Sequence, residues 1–318
     1  MMRPGRAFDR WLPPGVVAGL FVLQFVLPAY GHASMTRILV LAVLAIGYNL
    51  AFGYAGLLSL GHAMFFAAGV YGAGLPVALL GLPAPAAFMA GGLAALALAL
   101  VVGLVALRTS GVAFMIVTLM IAQAGFLTIL TFNEVTRGDE GFVLAPQAWN
   151  VVGFAFDLRD PDTRYNAALA LFAFAYGLSL AVVRSPVGRV LIGLRLNEER
   201  VRMLGYDTLG YKLAALALSG WLAGLAGALY ALLFGYVGAT FASIQYSILP
   251  LLWVLLGGAG TTLGPLIGTA LMFVLIDRLS GVTSGYMIAV GVVLIVLVVA
   301  FPKGIVGTIR DRVLGSAP

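Results

Sequence analysis

Residues 38–107 read ILVLAVLAIGYNLAFGYAGLLSLGHAMFFAAGVYGAGLPVALLGLPAPAAFMAGGLAALALALVVGLVAL, which is 70 residues without one Asp, Glu, Lys or Arg. A helix needs about 20 apolar residues to cross the hydrocarbon core of a bilayer. The stretch is therefore long enough for three such helices. Glycine and proline cluster at Gly53–Gly56 and at Gly81–Pro85, and these residue types favour turns. We predict three membrane-spanning helices that are separated at these two places.

The whole composition agrees with this interpretation. The chain has 318 residues, of which 62% are hydrophobic and 9% are charged, whereas soluble domains have about 25% charged residues. A soluble fold would lack the polar residues to cover its surface, and a disordered chain would be polar and charged. The absence of Cys excludes a thiolate metal site, and the presence of only two His argues against a multi-histidine site, so we expect no cofactor. The sequence predicts one all-α polytopic membrane domain over residues 1–318.

Charge-free gaps elsewhere in the chain give the number of crossings. Each short gap holds one span, and the 64-residue gap holds two spans, or two plus a broken element. We expect nine to ten crossings in all, from the gaps at 11–36, 38–107, 109–133, 165–183, 213–276 and 279–302. Within the long gap, Gly257–Pro265 is rich in glycine, so it forms either a break inside the membrane or an ordinary loop between helices.

Positive charge predicts the orientation, because cytoplasmic loops are enriched in Lys and Arg. Residues 133–164 contain three basic and six acidic side chains, and residues 184–212 contain six basic and three acidic ones. We therefore expect 133–164 to be external and 184–212 to be cytoplasmic. The basic residues near both termini predict a cytoplasmic N-terminus and C-terminus. The first apolar run could also belong to a signal peptide, but the many spans after it favour a retained helix.

The segment 184–212, called the connecting segment below, predicts one amphipathic helix. Ser185 and Pro186 are suitable helix-starting residues, and Gly205 is a suitable stop. The apolar residues between them recur at helical spacing. Such a helix could lie in the lipid headgroup layer, or it could dock on a soluble partner protein. Glu198 and Glu199 favour docking, because anionic lipid repels acidic side chains.

Polar residues inside the predicted spans are candidates for a transport path. Each of them could instead form a hydrogen bond between packed helices, which is the more common role. For His62 the alternative is a neutral ring bonded to a backbone carbonyl of a neighbouring helix. Small residues at Gly220, Gly224 and Ala228 indicate close helix packing. The candidate path residues are Asn49, Ser59, His62, Thr118 and Gln123.

Several stretches together resemble one known family. They are NLAFGYAGLLSLGHAMFFAAGVY at 49–71, GVAFMIVTLMIAQ at 111–123, SPVGRVLIGLRLNEERVRMLGYDTLGYKLAALALSGWLAGLAGALY at 185–230, LLGGAGTTLGPLIG at 255–268 and FPKGIVG at 301–307. The chain is similar in them to the LivM-type permease of branched-chain amino-acid ABC importers. The resemblance runs from about residue 48 to residue 307.

The resemblance implies partners and roles. Such a permease pairs with a homologous LivH-type permease, two cytoplasmic ABC ATPases and an extracytoplasmic amino-acid-binding protein, in the inner membrane of a bacterium. The stretch EERVRMLG at 198–205 is similar to the loop that such permeases insert into their ATPases. The implied coupling residues are Arg195, Glu198, Glu199, Arg200 and Gly205. Thr136–Phe142 resembles a TGG-type turn of the family, but Arg137 stands where a glycine is usual.

The sequence itself contains no Gly-Lys dipeptide and hence no Walker A loop. ATP hydrolysis would therefore need other chains, and we expect the protein to be no enzyme. Three alternatives remain: a permease of the same type for urea or short amides, an ion-coupled secondary transporter that works alone, and an intramembrane enzyme. The long uncharged gaps argue against the second, and the spans show no paired carboxylates or HExxH that would favour the third. No nucleic acid is expected as a partner.

Overall fold

The computed structural model describes residues 5–145, 148–151, 154–281 and 285–314. Helices dominate these residues, and the two small sheets contain two strands each. The helices are α1 Gly5–Leu23, α2 Ala29–Asn49, α3 His62–Leu80, α4 Ala84–Ala106, α5 Gly111–Thr131, α6 Asn133–Thr136, α7 Pro161–Arg184, α8 Pro186–Leu196, α9 Glu198–Met203, α10 Thr208–Phe234, α11 Ile244–Gly257, α12 Gly264–Ser280, α13 Tyr286–Ala300 and α14 Gly304–Leu314. The strands are β1 Phe142–Val143, β2 Ala148–Val151, β3 Phe154–Asp157 and β4 Tyr236–Val237.

The predicted all-α polytopic class is confirmed. Among the described residues, six helices are long and apolar enough to cross a membrane, and three shorter apolar helices accompany them. The long ones are 29–54, 62–80, 84–106, 111–131, 161–184 and 208–234. The predicted separations near Gly53–Gly56 and Gly81–Pro85 are both present, since α2 and its π-helical extension Leu50–Tyr54 end there, and α3 ends at Leu80.

Charge-free gaps and helices do not coincide everywhere. Arg37 separates the charge-free gaps 11–36 and 38–107, but it does not separate two helices, because α2 runs through it from Ala29 to Asn49. The guanidinium of Arg37 lies 5.1 Å from the ring centroid of Phe234, which is a cation–π contact. An aromatic partner therefore lets a charged residue stand within an otherwise apolar helix.

The residues 213–276 contain α10 and a pair of short helices. α11 has 14 residues and α12 has 17, so α11 is about 21 Å long and falls short of the hydrocarbon core of about 30 Å. The two helices run antiparallel and in close contact. A Cβ built on Gly268 would lie 1.8 Å from Trp253 O, and one on Gly257 would lie 1.8 Å from Gly264 O. These lengths support a break at Gly257–Pro265 over an ordinary loop between two full spans.

Helices α2 and α10 form the centre of the bundle. In each of these two helices, 83% of the most apolar stretch of 18 residues is buried inside the protein. In α5 the buried share of the corresponding stretch is 17%. α10 packs against α2, α3 and α4, and α2 packs against α7, α11 and α12. α5 therefore leaves most of its surface for lipid or for another protein.

The bundle has two distinct ends. At one end, β1 pairs with β4 in antiparallel register, Phe142 opposite Val237, so residues 142–143 lie beside the end of α10. We call this the β1–β4 end. The other end carries α8 and α9, which precede the start of α10 and contact it. We call this the α8–α9 end. Residues 142–143 and the helices α8 and α9 thus lie at opposite ends of the bundle, as a polytopic topology requires.

Small residues allow the three-helix contact of α3, α4 and α10. A Cβ on Gly69 of α3 would lie 2.0 Å from Gly224 O, and one on Gly224 would lie 2.0 Å from Ala95 Cβ. The packing role that we expected for Gly220 and Gly224 is confirmed, because a Cβ on Gly220 would lie 2.5 Å from Ala99 Cβ. Backbone approaches this close are the usual device of membrane helix packing.

We predict that Gly69→Ala destabilises the protein by about 1–3 kcal/mol, since the added methyl group overpacks a rigid contact with backbone. The purified protein in detergent should show a thermal unfolding midpoint several degrees lower. Gly177→Ala in α7 is the matched control, because a Cβ there meets nothing within 4 Å. Equal midpoints for the two variants would contradict the close approach of α3 and α10.

Candidate functional site

The chain leaves helical structure between α2 and α3, and this break lies deep in the bundle. α3 and α10 run parallel, with Gly69 against Gly224 and Gly74 against Val237. His62, the first residue of α3, contacts Ser219, which is eleven residues after the start of α10 at Thr208. The start of α3 thus lies roughly 16 Å along α10. Residues 55–61 therefore place non-helical backbone at the depth of the spans.

Backbone N–H and C=O groups at such a depth need partners, because no water is available there. Side-chain hydroxyls provide them. Leu60 N donates to Thr118 Oγ1 at 3.2 Å, and Ala63 N donates to Ser247 Oγ at 3.1 Å. These hydroxyls come from α5 and α11, so two separate helices hydrogen-bond the chain at the start of α3.

Ser59 and Tyr48 complete the hydrogen bonds of the break. Gly61 N donates to Ser59 Oγ at 3.2 Å, and Tyr48 donates its hydroxyl to Ser59 O at 2.9 Å. Both Ser59 and Thr118 are fully buried. Together with His62 and its partner, these side chains form what we call the polar cluster, composed of Tyr48, Ser59, His62, Thr118, Ser219 and Ser247.

His62 is the centre of the polar cluster. Its side chain is fully buried, and Nε2 lies 2.7 Å from Ser219 Oγ on α10. Its ring packs edge-on against Tyr48, at 4.6 Å between centroids. Nδ1 has no hydrogen-bond partner within the part of the chain that the structure describes. The packing interpretation predicted a bond from a neighbouring helix, and the partner is a hydroxyl rather than a backbone carbonyl.

Asn49 lies outside the polar cluster and holds a second irregular segment. Its Nδ2 donates to Thr261 O at 2.9 Å, and its Oδ1 accepts from Gly260 N at 2.9 Å. The turn 258–263 between α11 and α12 is thereby fixed to the end of α2 at the α8–α9 end. For Asn49 the contacts indicate a packing role.

Gln123 is also separate from the polar cluster. It is half-buried on α5, five residues after Thr118. Its Nε2 is buried and makes no hydrogen bond to any described residue. The structure thus brings together Ser59, His62 and Thr118 of the five candidates.

Three members of the polar cluster escaped the sequence analysis: Tyr48, Ser219 and Ser247. Ser219 and Ser247 are isolated hydroxyls within apolar helices. That isolation is a usable signal, since a buried hydroxyl in a span needs a partner on another helix.

The connecting segment forms two helices and not the single one that we predicted. α8 ends at Leu196, Asn197 adopts extended backbone (φ −162°, ψ 103°), and α9 begins at Glu198. Asn197 Oδ1 accepts from Arg200 N at 3.0 Å, so this side chain caps α9. The predicted start is present, because Ser185 Oγ accepts from Gly188 N at 3.4 Å, and Gly205 has a positive φ of 87°.

The five implied coupling residues differ in their surroundings. Arg195 Nη1 donates to Gly53 O, and a Cβ built on Gly56 would lie 3.1 Å from Arg195 Cγ, so Arg195 binds the connecting segment to the bundle next to the chain break. Glu198 accepts from Lys212 and from Arg202 Nη2, the latter at 3.3 Å. Glu199 and Arg200 are exposed.

Glu198 is ionised at neutral pH. Its partial burial by itself raises the pKa of the carboxyl. The hydrogen bond and charge of Lys212 outweigh that effect, with help from Thr208 and Arg202, and the pKa lies below its ordinary value. The pair with Lys212 is partly shielded from water, because the lysine side chain is 13% exposed.

Apolar side chains at the end of α8, on α9 and directly after α9 are exposed at the α8–α9 end. Leu196, Met203 and Leu204 are 76–81% exposed. Exposure of a group of apolar side chains to water is unfavourable. We call Leu196, Met203 and Leu204 the apolar surface of the connecting segment.

At the β1–β4 end, the turn that resembles TGG has an unusual backbone. Arg137 has a positive φ of 59°, as do Gly138 at 52° and Gly141 at 65°. A positive φ favours glycine, so Arg137 retains the conformation that glycine would adopt there. A Cβ on Gly141 would lie 2.4 Å from Val237 O, which ties the turn to β4.

Comparison with known proteins identifies related chains. The family model described as branched-chain amino acid transport system / permease component matches residues 32–301. The high-affinity branched-chain amino acid transport system permease protein LivM of Escherichia coli K12 is 28% identical over 300 residues, covering 88% of this chain and 70% of its own length. A probable branched-chain amino acid transport permease protein LivM of Methanocaldococcus jannaschii is 27% identical over 165 residues, covering 48% and 44%. No solved structure matches the chain significantly.

We predict that Ser219→Ala lowers the thermal unfolding midpoint, because it leaves His62 Nε2 buried without a partner. A buried polar group without a partner costs about 1–3 kcal/mol. Ser280→Ala is the control, since Ser280 is exposed. The measurement is thermal unfolding of the purified variants in detergent, and a Ser219→Ala midpoint as high as that of Ser280→Ala would show that the His62 bond contributes nothing.

Proposed function

The chain belongs to the family of permease components of branched-chain amino acid transport systems, and from this premise we propose that it is the translocation subunit of an ATP-driven importer for branched-chain or related small amino acids. The observation that carries the proposal is the family match over residues 32–301, together with the apolar surface of the connecting segment. In this proposal a homologous permease completes the membrane path, two ABC ATPases bind the connecting segment, and a binding protein outside the cell delivers the substrate.

The proposed orientation places the α8–α9 end in the cytoplasm of a bacterial cell, and the β1–β4 end outside the inner membrane. The charges support this orientation, because the connecting segment is basic and the segment 133–164 is acidic. Both termini are then cytoplasmic.

The exposed carboxylate of Glu199 beside the apolar surface of the connecting segment supports docking over binding in the headgroup layer, because anionic lipid repels acidic side chains. Glu199 is exposed on α9, close in sequence to the exposed Met203 and Leu204. An exposed patch of apolar side chains rimmed by charges is typical of a protein interface. Arg195 and Glu198 contact the chain itself, so in this proposal they transmit movement, while Glu199, Arg200 and the apolar surface contact the ATPase. Gly205 ends the docking segment.

The proposed path passes the polar cluster. Hydroxyls of this cluster accept hydrogen bonds from backbone N–H groups at the start of α3. When α5, α10 or α11 moves, the carboxylate of an amino acid could replace these hydroxyls as the acceptor. ATP drives the movement through its different affinities for the two states of the ATPases. Arg195 connects this movement to the chain break, because it bonds Gly53 O at the end of α2.

Labelling of single cysteines tests the orientation. The chain contains no Cys, so each variant carries one reactive thiol. We predict that a membrane-impermeant maleimide added to intact cells labels Val143→Cys and not Met203→Cys, whose native side chains are 80% and 79% exposed at opposite ends. In cells that express the chain without the ATPase subunits, both should react after permeabilisation. The reverse pattern in intact cells would overturn the orientation.

Substitution of the apolar surface tests the docking. We predict that the double variant Met203→Asp, Leu204→Asp loses at least about tenfold in affinity for the ATPase subunits, as the removal of a few central contacts does in protein interfaces. Co-purification of the ATPases and uptake of labelled leucine in vesicles are the measurements. Val143→Asp at the opposite end is the control. Unchanged co-purification and uptake in the double variant would exclude the docking, and uptake without any ATPase would favour a secondary transporter.

The substrate is tested by competition. In the assembled transporter, excess unlabelled branched-chain amino acid should suppress the uptake of labelled leucine. Suppression by urea or short amides instead would favour the alternative permease of the same family.

A further inference from the structure

A cavity of about 350 Å³ lies at the α8–α9 end, between the chain break, the start of α5 and the connecting segment. Small-molecule sites in proteins usually have volumes of about 300–1,000 Å³. The cavity is thus at the small end of this range, which suits a single small metabolite. None of the functions proposed so far uses it.

Three charged side chains line one part of this cavity: Arg195, Glu198 and Lys212. They come from α8, α9 and α10, and they converge because Lys212 donates to Glu198 Oε2 and Arg195 donates to Gly53 O. Among the described residues the structure records one acceptor for each cation. An ammonium carries three N–H donors and a guanidinium five, so both cations can bind a further acceptor. The cavity therefore offers two cations and one carboxylate at short range.

Apolar side chains line another part of the same cavity. They come from the chain break and from α5 and α8, namely Leu57, Leu58, Phe114, Met115 and Leu194. The start of α5 also contributes, with Ser110 and Gly111 at the cavity wall. Ser110 makes no side-chain cap bond to α5, and the first N–H groups of a helix carry partial positive charge.

This combination selects one class of ligand. The Glu198 carboxylate would repel an anion, and the cations of Arg195 and Lys212 would repel a cation. A ligand with a single charge therefore meets a charge of its own sign in either case. A zwitterion can satisfy both signs, and an aliphatic side chain can cover the apolar part. Glucose-like and purely apolar molecules would leave the charges without partners.

We propose that the cavity is an exit site that binds the zwitterion of an aliphatic amino acid. The carboxylate binds Lys212 and Arg195, the ammonium binds Glu198, and the side chain packs against Leu57, Leu58 and Phe114. The proposal deepens the proposed function and rests on it, because it places the substrate beside the chain break on its way to the cytoplasm. An amino acid bound there separates Glu198 from Lys212 within the connecting segment, so the proposal also implies that internal amino acid slows the transport cycle.

Protection of a single cysteine tests the site. Val112 lines the cavity and is 67% exposed, so Val112→Cys places an accessible thiol there. The assembled transporter with this variant is placed in nanodiscs, where both faces are open to solution, and its alkylation rate by a small maleimide is measured with and without L-leucine. At a concentration twice the dissociation constant, the free fraction and hence the rate should fall to about one third. Val143→Cys at the β1–β4 end, which is 80% exposed and outside the cavity, should react at an unchanged rate.

Two analogues and two further variants make the test specific. 4-Methylpentanoate lacks the ammonium and isopentylamine lacks the carboxylate, so neither should protect Val112→Cys at the same concentration. Adding Lys212→Met should abolish the protection by L-leucine, and Lys212→Arg should retain it. The alkylation rate without ligand reports whether the Lys212→Met cavity is still formed, and it should equal that of Val112→Cys alone. No protection by L-leucine, or equal protection by either analogue, would overturn the proposal.

Uptake of L-leucine by the same Val112→Cys transporter is measured in vesicles in parallel. Uptake without protection would exclude the exit site and leave the proposed function intact. The absence of both would overturn the proposed function as well. If protection is seen, preloading the vesicles with L-leucine should slow uptake. An uptake rate that internal L-leucine does not change would exclude the implied slowing of the transport cycle.

Discussion

The structure depends on one constraint: polar backbone within the apolar bundle has to be hydrogen-bonded by the protein itself. The chain leaves helical structure at residues 55–61, next to the first residue of α3, His62. Hydroxyls from α5 and α11, together with that of Ser59, occupy the N–H groups of Leu60, Gly61 and Ala63. Each donor lies on the break or in the first turn of α3, and two of the three acceptors lie on other helices. These helices therefore cannot separate from the break without exposing donors to a ligand or to water. A transporter can use such an arrangement as a closed path.

The same constraint connects the break to the α8–α9 end. Asn49 bonds the turn 258–263, and Arg195 bonds Gly53 O at the end of the π-helical extension of α2. The connecting segment therefore contacts the break directly, through one side chain. The cavity that we propose as an exit site lies on the same side of the break, and its charges come from the same segment. Docking, movement of the break and release of the substrate would then share the residues Arg195 and Glu198.

The features of the fold that depend on composition and on local residue types could be predicted from the sequence. The all-α polytopic class, the separations near Gly53–Gly56 and Gly81–Pro85, and the cap at Ser185 depend on local residue types, so they could be predicted. The break of the connecting segment at Asn197 was missed, since the apolar stripe continues through it, while the extended backbone of Asn197 ends α8 and its side chain caps the start of α9. The polar cluster could be predicted in part. Ser59, His62 and Thr118 stand out as polar residues in apolar spans, but the convergence of Ser219 and Ser247 on them depends on tertiary packing.

The central claim is that the hydroxyl-bonded break is closed at rest and opens during transport. Hydrogen–deuterium exchange of the assembled transporter in nanodiscs tests it most directly, at the backbone amides of Leu60, Gly61 and Ala63. The account predicts slow exchange at rest and much faster exchange while ATP is hydrolysed in the presence of loaded binding protein, with the amides of Leu44 and Ala45 in the core of α2 slow in both conditions. Fast exchange at rest, or exchange during turnover as slow as that of the α2 core, would contradict it.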